Sequence, residues 1–538
     1  MDKRALILLF VLGLAVGLAG SLLQTNPGYM DAYYYFYTGQ QLAHGEGFTE
    51  MLLWNYLDDP AGIPHPSHTY WQPAVSLLTA AGIRLFSGIM PEFKAAQVIL
   101  VLVVALIPPV TAGLAYSLSG RKPLAWLAGV LAAFTGFYQP FWTTTDSLGL
   151  VMLLGGVFFW VVAGMKSRPK RQAVVLGLIA GLMHLTRVEG LLWLGMAGLG
   201  VLFNLHGSKA DCSFKQRFRR MFTREYFVLG VLTVAGYALV MAPWFLRNYF
   251  AFGGLFAPGG SRALWVEEYD QLFAYPASIL TPEHLLASGW EAVLSGRIEA
   301  LWQNLQKSFV AVGVVVPGIL AVVGAWQWRH RREIRLGVIG WAILYGVMSL
   351  VFPYSGMRGS YFHAAASFVP LVLATAPAGL DAVVAALLRL FKHWEAGRIR
   401  PLMVGLLLVW VIGFTAVSYL SGVVGFDGGE VIQWNRTESS YQAVGGFLEE
   451  AGAGLDEIVL SINPPAFVVV TGMPAVGMPD GGPEVIHQVV NDYDVRWVLV
   501  EGTPKMEEAA FFSSLTSSSL LEIQAEIGGI TILKRIDP

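Results

Sequence analysis

Eleven stretches of this chain are apolar for long enough to approach or exceed the thickness of a bilayer core, and that repetition excludes nearly every fold built for water. They lie at about 5–23, 95–117, 123–141, 147–165, 172–187, 190–205, 226–246, 308–328, 336–352, 364–388 and 401–421. About 20 apolar residues rising 1.5 Å each match the hydrocarbon thickness. In lipid no water satisfies backbone N–H and C=O groups, so each run is expected to be helical. Charge agrees: only 13% of the 538 residues are Asp, Glu, Lys or Arg, against about 25% in a soluble domain. The expected fold is a polytopic α-helical membrane protein. The runs at 172–187 and 190–205 are short, and Arg187-Val188-Glu189-Gly190 between them reads as the tip of a helical hairpin. The net charge of −2 offers nothing to nucleic acid, and the single cysteine, Cys212, excludes an intramolecular disulfide.

Basic residues orient the runs. Lys3-Arg4 precedes the first run, which reads as an uncleaved helix rather than a signal peptide. With that end in the cytoplasm, strict alternation puts 22 of the 35 Lys and Arg on the same side, including the clusters at 166–171, 209–224, 329–335 and 389–400. Parity holds only if residues 73–90, which carry Arg84, lie in the interface as an amphipathic helix. The expected location is the cell membrane, with the N-terminus cytoplasmic. The outer face then receives long loops at 24–94 and 247–307 and short ones at 139–147 and 353–363. The chain divides into a membrane module, 1–421, and an extracytoplasmic α/β domain, 422–538. In that tail, helices are predicted at 438–451, 483–492 and 505–515, and strands at 457–461, 467–470, 496–500, 520–526 and 529–535. Asn435-Arg436-Thr437 fits a glycosylation sequon, a weak signal.

The residues able to carry chemistry collect on the outer side. Asp31 follows the first run beside Tyr33-Tyr34-Tyr35, where its plain role is a helix N-cap over 32–43. His65 and His68 flank Pro66. Two histidines with a nearby carboxylate are metal-ligand types, but Pro66 keeps them off one helix face, and a phosphate or hydroxyl partner fits better. Asp146 opens a run and is again a candidate cap. Arg187 and Glu189 suit a mutual ion pair. Arg247 follows Pro243-Trp244-Phe245-Leu246, and Arg358 and His363 stand in Ser355-Gly356-Met357-Arg358-Gly359-Ser360-Tyr361-Phe362-His363. Each has an ordinary reading. Their gathering at one depth does not, because an ionisable group near hydrocarbon costs about 2.5–3.5 kcal/mol even on the lenient insertion scale. Together they suit a site for an anion and a hydroxylated molecule.

At these residues the chain resembles the GT-C glycosyltransferases, in particular prokaryotic members related to dolichyl-phosphate-mannose mannosyltransferases. Asp31-Ala32-Tyr33-Tyr34 and Leu42-Ala43-His44-Gly45-Glu46-Gly47-Phe48 look like the family's first outer loop. His68-Thr69-Tyr70-Trp71-Gln72-Pro73 is similar to its Pro-rich stretch. Leu185-Thr186-Arg187-Val188-Glu189-Gly190 and Pro243-Trp244-Phe245-Leu246-Arg247-Asn248 look like its turn and helix-end elements, and Asn463-Pro464-Pro465 is similar to the soluble domain of some members. The family's acidic pair is here Asp31-Ala32, the Lys-Pro-Pro of some members is absent, and so is the Trp-Trp-Asp motif of oligosaccharyltransferases. The resemblance implies inverting transfer of a sugar from a polyprenyl-phosphate donor, with Asp31 as general base. Asp146, His65, His68, Glu189, Arg247, Arg358 and His363 would bind substrate. The acceptor class, glycan, lipid or protein, stays open, as does metal dependence, a divalent cation being the one cofactor these residues admit. Two rivals are a transporter or flippase of lipid-linked or small polar substrates and a non-catalytic relative. A transporter would show paired broken helices in inverted repeats, which the sequence lacks.

Overall fold

The computed structural model describes residues 1–165, 168–205, 223–502, 508–517 and 520–536. Cys212, Lys166, most of the basic cluster at 209–224 and the start of the helix expected at 505 lie outside them. The chain is predominantly helical and multi-pass. Among the described residues six helices are long and apolar enough to cross a membrane: Lys3–Ser21, Glu92–Ser119, Arg224–Phe252, Arg332–Val351, Pro353–Leu390 and Ala396–Val424. Gly289–Val312 and Val316–Gln327 make a seventh if the pair, bent by 94°, is one span.

Eleven apolar runs therefore do not make eleven long helices. The run at 123–141 is a helix only over Lys122–Leu131, then a 3-10 turn over Gly136–Phe141 with Pro140 inside it. The run at 308–328 breaks where Val314 and Val315 take left-handed φ of 49° and 59°. Apolar composition continues through both breaks, so periodicity does not see them. Elsewhere small residues set the packing. A Cβ on Gly177 would lie 2.0 Å from the Thr233 carbonyl oxygen, and one on Gly236 would lie 2.3 Å from that of Val174. This brings Pro169–Thr186 and Arg224–Phe252 into backbone contact.

The expected interfacial segment at 73–90 is the helix Ala74–Phe86. Its Arg84 donates to the carbonyl oxygens of Leu42 and Ala43, each at 3.0 Å, closing the C-terminus of the helix Met30–His44.

The strands are β1 (Thr49–Glu50), β2 (Leu52–Leu53), β3 (His65–Pro66), β4 (Ile458–Ser461), β5 (Ala475–Gly477), β6 (Val495–Glu501), β7 (Leu521–Ile527) and β8 (Ile530–Arg535). Six of them form one sheet in the order β2-β5-β4-β6-β8-β7. The β2, β5, β4 and β6 strands run parallel, and β8 and β7 antiparallel. The strand expected at 467–470 is a helix, Pro464–Thr471. Asn463 caps it by accepting from Ala466 N, two prolines occupy its first turn, and Gly472 closes it at φ +77°. These end signals outweigh the β-branched run Val468-Val469-Val470.

Leu52–Leu53 come from the first long loop, so that loop and the tail share a sheet and an apolar core including Tyr34, Trp54, Val459 and Phe467. The second long loop joins as well: Asp480 N donates to Phe273 O at 2.9 Å. Asn435 sits at a seam between segments, its side-chain oxygen accepting from Thr25 and Asn26. This gives the Asn435-Arg436-Thr437 sequence a packing role.

Candidate active site

Three consecutive threonines place the first catalytic candidates. Thr143 Oγ1 donates to Gln24 Oε1 at 2.8 Å, Thr144 Oγ1 to Pro27 O at 2.8 Å, and Thr145 Oγ1 to Ala32 O at 2.6 Å. This ladder staples the segment after the first helix to the segment before Leu148–Gly164, and so holds Asp31 near Asp146. Asp31 is not the expected N-cap. The helix begins at Met30, its N-cap Tyr29 makes no side-chain cap bond, and Asp31 sits within its first turn. Asp146 does not cap its helix either; Ser147 holds that place.

His363 lies between the two carboxylates. Its Nε2 is 3.0 Å from Asp146 Oδ2 and 3.9 Å from Asp31 Oδ2, while its Nδ1 is 3.0 Å from Gly359 O. A carbonyl oxygen only accepts. Asp146 already accepts from the Ser147 amide and hydroxyl and from the Tyr29 hydroxyl, which marks it as ionised. Both ring nitrogens of His363 therefore donate, and the ring is an imidazolium. Burial raises the Asp146 carboxyl, but the charge and hydrogen bond of His363 prevail and hold it down at about 2. Asp31 goes the other way. Burial pushes its carboxyl up, His363 opposes this, and repulsion from Asp146 adds to the rise. Exposure separates them too: the Asp146 side chain is 0% accessible and that of Asp31 28%. Asp31 is the most accessible member of the trio.

Arg187 and Glu189 form the pair expected at the hairpin tip, at 2.8 Å. Among the described residues Arg187 Nε and Glu189 Oε2 are buried without a hydrogen-bond partner. Gly190 lets the tip fold back, since a Cβ there would lie 2.2 Å from the Met183 backbone. Arg187 acts on the charge of Asp31, and Tyr70 responds to Glu189, Asp31 and Arg187. Tyr269 responds to Asp31 and Arg358, and the Arg358 guanidinium lies over its ring at 5.1 Å. Arg358 is exposed, and among the described residues it shows no hydrogen bond or ion pair. Arg358 and Asp31 thus share Tyr269 as a neighbour.

The remaining candidates belong to an adjoining buried network. His65 Nε2 lies 3.1 Å from Asp58 Oδ2 and its Nδ1 3.6 Å from Glu50 Oε1. Burial lowers His65, but the two carboxylates overcome it and raise it to about 9. His68 rests between the hydroxyls of Ser67 (2.8 Å) and Ser76 (3.0 Å), and burial beside Arg247 brings it down to about 3. Arg247 donates to Ser67 O at 2.6 Å and to Asn248 Oδ1 at 3.1 Å. It is flanked by the rings of Phe48, Trp244 and Phe252 at 5.6, 4.8 and 5.0 Å. These three residues are occupied within the protein, and Arg247 is absent from the groups acting on Asp31. The two networks meet at Trp71, which lies against Asp31 and packs on Tyr34 at 4.3 Å.

Among the described residues no group of three or more His, Cys, Asp or Glu is arranged to hold a metal ion. Tyr29 and Tyr269 are neighbours of the carboxylates that sequence reading did not single out. Tyr29 meets Asp146 across 117 residues, a separation that leaves no local signal.

No family model and no curated protein matches this chain, but solved structures do. The archaeal oligosaccharyltransferase AglB from Archaeoglobus fulgidus, in complex with an inhibitory peptide and a dolichol-phosphate, superposes with a TM-score of 0.55 at 13% identity. The match covers 92% of this chain and 69% of that one. ArnT from Cupriavidus metallidurans, bound to undecaprenyl phosphate, gives 0.52 at 13% identity over 99% of both chains. The arabinofuranosyltransferase AftD from Mycobacteria gives 0.53 at 13% identity, over 99% of this chain and 42% of that one. At such identity the likeness is one of fold: this chain carries the fold seen in AglB, ArnT and AftD.

Proposed function

We propose that the protein is a membrane glycosyltransferase that moves a sugar from a polyprenyl-phosphate donor to an acceptor hydroxyl at the extracytoplasmic face, with inversion. The observation that carries this reading is the Asp31–His363–Asp146 trio, with the accessible carboxylate on one side and Arg358 lying over Tyr269, a neighbour of Asp31. Asp31 takes the proton of the acceptor hydroxyl. The acceptor oxygen attacks the anomeric carbon, and the bond from that carbon to the phosphate oxygen breaks. The polyprenyl phosphate leaves with the electron pair, and its charge falls to fixed cations. Arg358 suits that role, and Arg187 contributes from within its pair with Glu189. His363, charged by its two acceptors, holds Asp146 ionised and limits the rise in Asp31. The lipid donor enters sideways from the bilayer. The division into a membrane module, 1–421, and an outer domain, 422–538, and an N-terminus in the cytoplasm belong to the same proposal.

The test is transfer from a radiolabelled polyprenyl-phosphate sugar by protein reconstituted in lipid, with a cell-envelope extract as acceptor. Asp31→Asn is expected to lower the rate by at least about a hundredfold, the lower range for a general base, with unchanged expression and melting temperature. Full activity in that variant would remove Asp31 from its role.

A further inference from the structure

The tail, 422–538, reaches the trio through one buried tryptophan. Trp434 is 4% exposed, and its indole N–H donates to Asn26 O at 2.8 Å. Asn26 Nδ2 in turn donates to Asn435 Oδ1 at 2.9 Å and to Glu438 Oε2 at 2.7 Å. The chain then turns at Gly28, φ +91°, where a Cβ would lie 2.2 Å from the Trp434 ring. Only glycine leaves room for the indole and takes that backbone without strain. The next residue is Tyr29. Its ring meets Trp434 edge-on at 5.9 Å and Phe141 edge-on at 5.3 Å, and its hydroxyl donates to Asp146. Phe141 lies 5.9 Å from Phe362, the neighbour of His363. The tail thus closes an aromatic shell around the Asp146–His363 pair.

We propose that the tail is a positioning element of the active site: Trp434 holds Tyr29 against Asp146, which fixes His363 and through it the charge of Asp31. This rests on the transferase reading above. Trp434 and Tyr29 touch no reacting atom; they act through Asp146. A carboxylate shared by His363 and Tyr29 has one orientation. Ser147 holds Oδ1 of that carboxylate, whereas Oδ2 is shared by Tyr29 and His363; without the Tyr29 hydroxyl Oδ2 keeps one donor, its hold on His363 loosens, and the cation that opposes the rise of Asp31 is less well placed.

The full chain in lipid nanodiscs tests this. Trp434→Ala and Tyr29→Phe are expected to lower kcat about tenfold or more, with KM for the polyprenyl-phosphate sugar within about threefold. The acidic limb of the pH–rate profile is expected to move to higher pH. Trp434→Phe, which keeps an aromatic edge, restores most of the rate. A raised KM with unchanged kcat would assign the tail to substrate recognition and overturn the proposal, as would wild-type kinetics in both variants. Hydrogen exchange supplies a readout that needs no turnover. Trp434→Ala should speed exchange in peptides covering 141–148 and 359–365 as well as 26–33. Unchanged protection at 141–148 and 359–365 overturns the proposal even with no detectable transfer, whereas an inactive wild type with the expected exchange pattern counts against the transferase reading alone.

Discussion

Asp31 and Asp146 are the same side chain doing opposite things because their donors differ. Asp146 is sealed in and accepts from Ser147, Tyr29 and His363; Asp31 reaches space and accepts little. The base role proposed for Asp31 requires an ionised carboxylate, so on that proposal protonating it is expected to stop the reaction. Because its carboxyl is raised, the transfer rate should climb with pH through a midpoint above the usual carboxylate range near 4. A pH–rate profile in nanodiscs measures this, and a limb at or below pH 4 would contradict it. His65 makes a separate prediction about stability. Its folded value, about 9, exceeds the ordinary 6.5, so its contribution is complete below pH 6.5 and is lost as pH rises through 9. His65→Gln should therefore depress the melting temperature at pH 6 more than at pH 10. Arg358→Ala should cut transfer roughly a hundredfold if its cation meets the leaving phosphate, while leaving melting unchanged, since the side chain is exposed.

Among the elements, Gly289–Lys307 departs most from a soluble loop. Trp290, Leu294, Ile298 and Trp302 recur every four residues along it and are all exposed. Its other side is anchored, Asn304 Nδ2 donating to Met348 O at 3.2 Å and Lys307 Nζ to Met357 O at 2.6 Å. An apolar stripe next to a 94° bend into Val316–Gln327 suits a helix lying flat on the bilayer. A fluorophore on cysteine at 294 or 298, in a Cys212→Ser background, should be quenched by spin-labelled lipid; one at 299 or 303 should be quenched far less. The close pair Pro169–Thr186 and Arg224–Phe252 is governed by its glycines. Gly177→Leu would drive a side chain into the Thr233 carbonyl. Overpacking of this kind costs about 1–3 kcal/mol, read as a lower melting temperature.

Across the whole molecule, the first loop, the second loop and the tail interlock. β2 pairs with β5, Phe273 with Asp480 and Asn26 with Glu438. Truncation after residue 421 would remove the partners of residues 26–57 along with the tail. The truncated chain is expected to be cut by protease within 24–73, where the full chain resists. Equal resistance would show that the loop folds without the tail.

Much of this was legible before any coordinates. The apolar runs required a helical membrane protein because lipid offers backbone no other partner. Asp31, Asp146, Glu189, Arg247, Arg358 and His363 stood out because charge near hydrocarbon is costly. Helix 483–492 was readable from its proline start and period. What only the tertiary structure decided is who meets whom. It drew His65, His68 and Arg247 into their own network, turned 467–470 from strand to helix, bent the run at 308–328, and brought Trp434 onto Tyr29. The reason is physical: a residue's type fixes which bonds it can make, but contacts between groups more than a hundred residues apart depend on how the whole chain closes, and no local pattern records that closure.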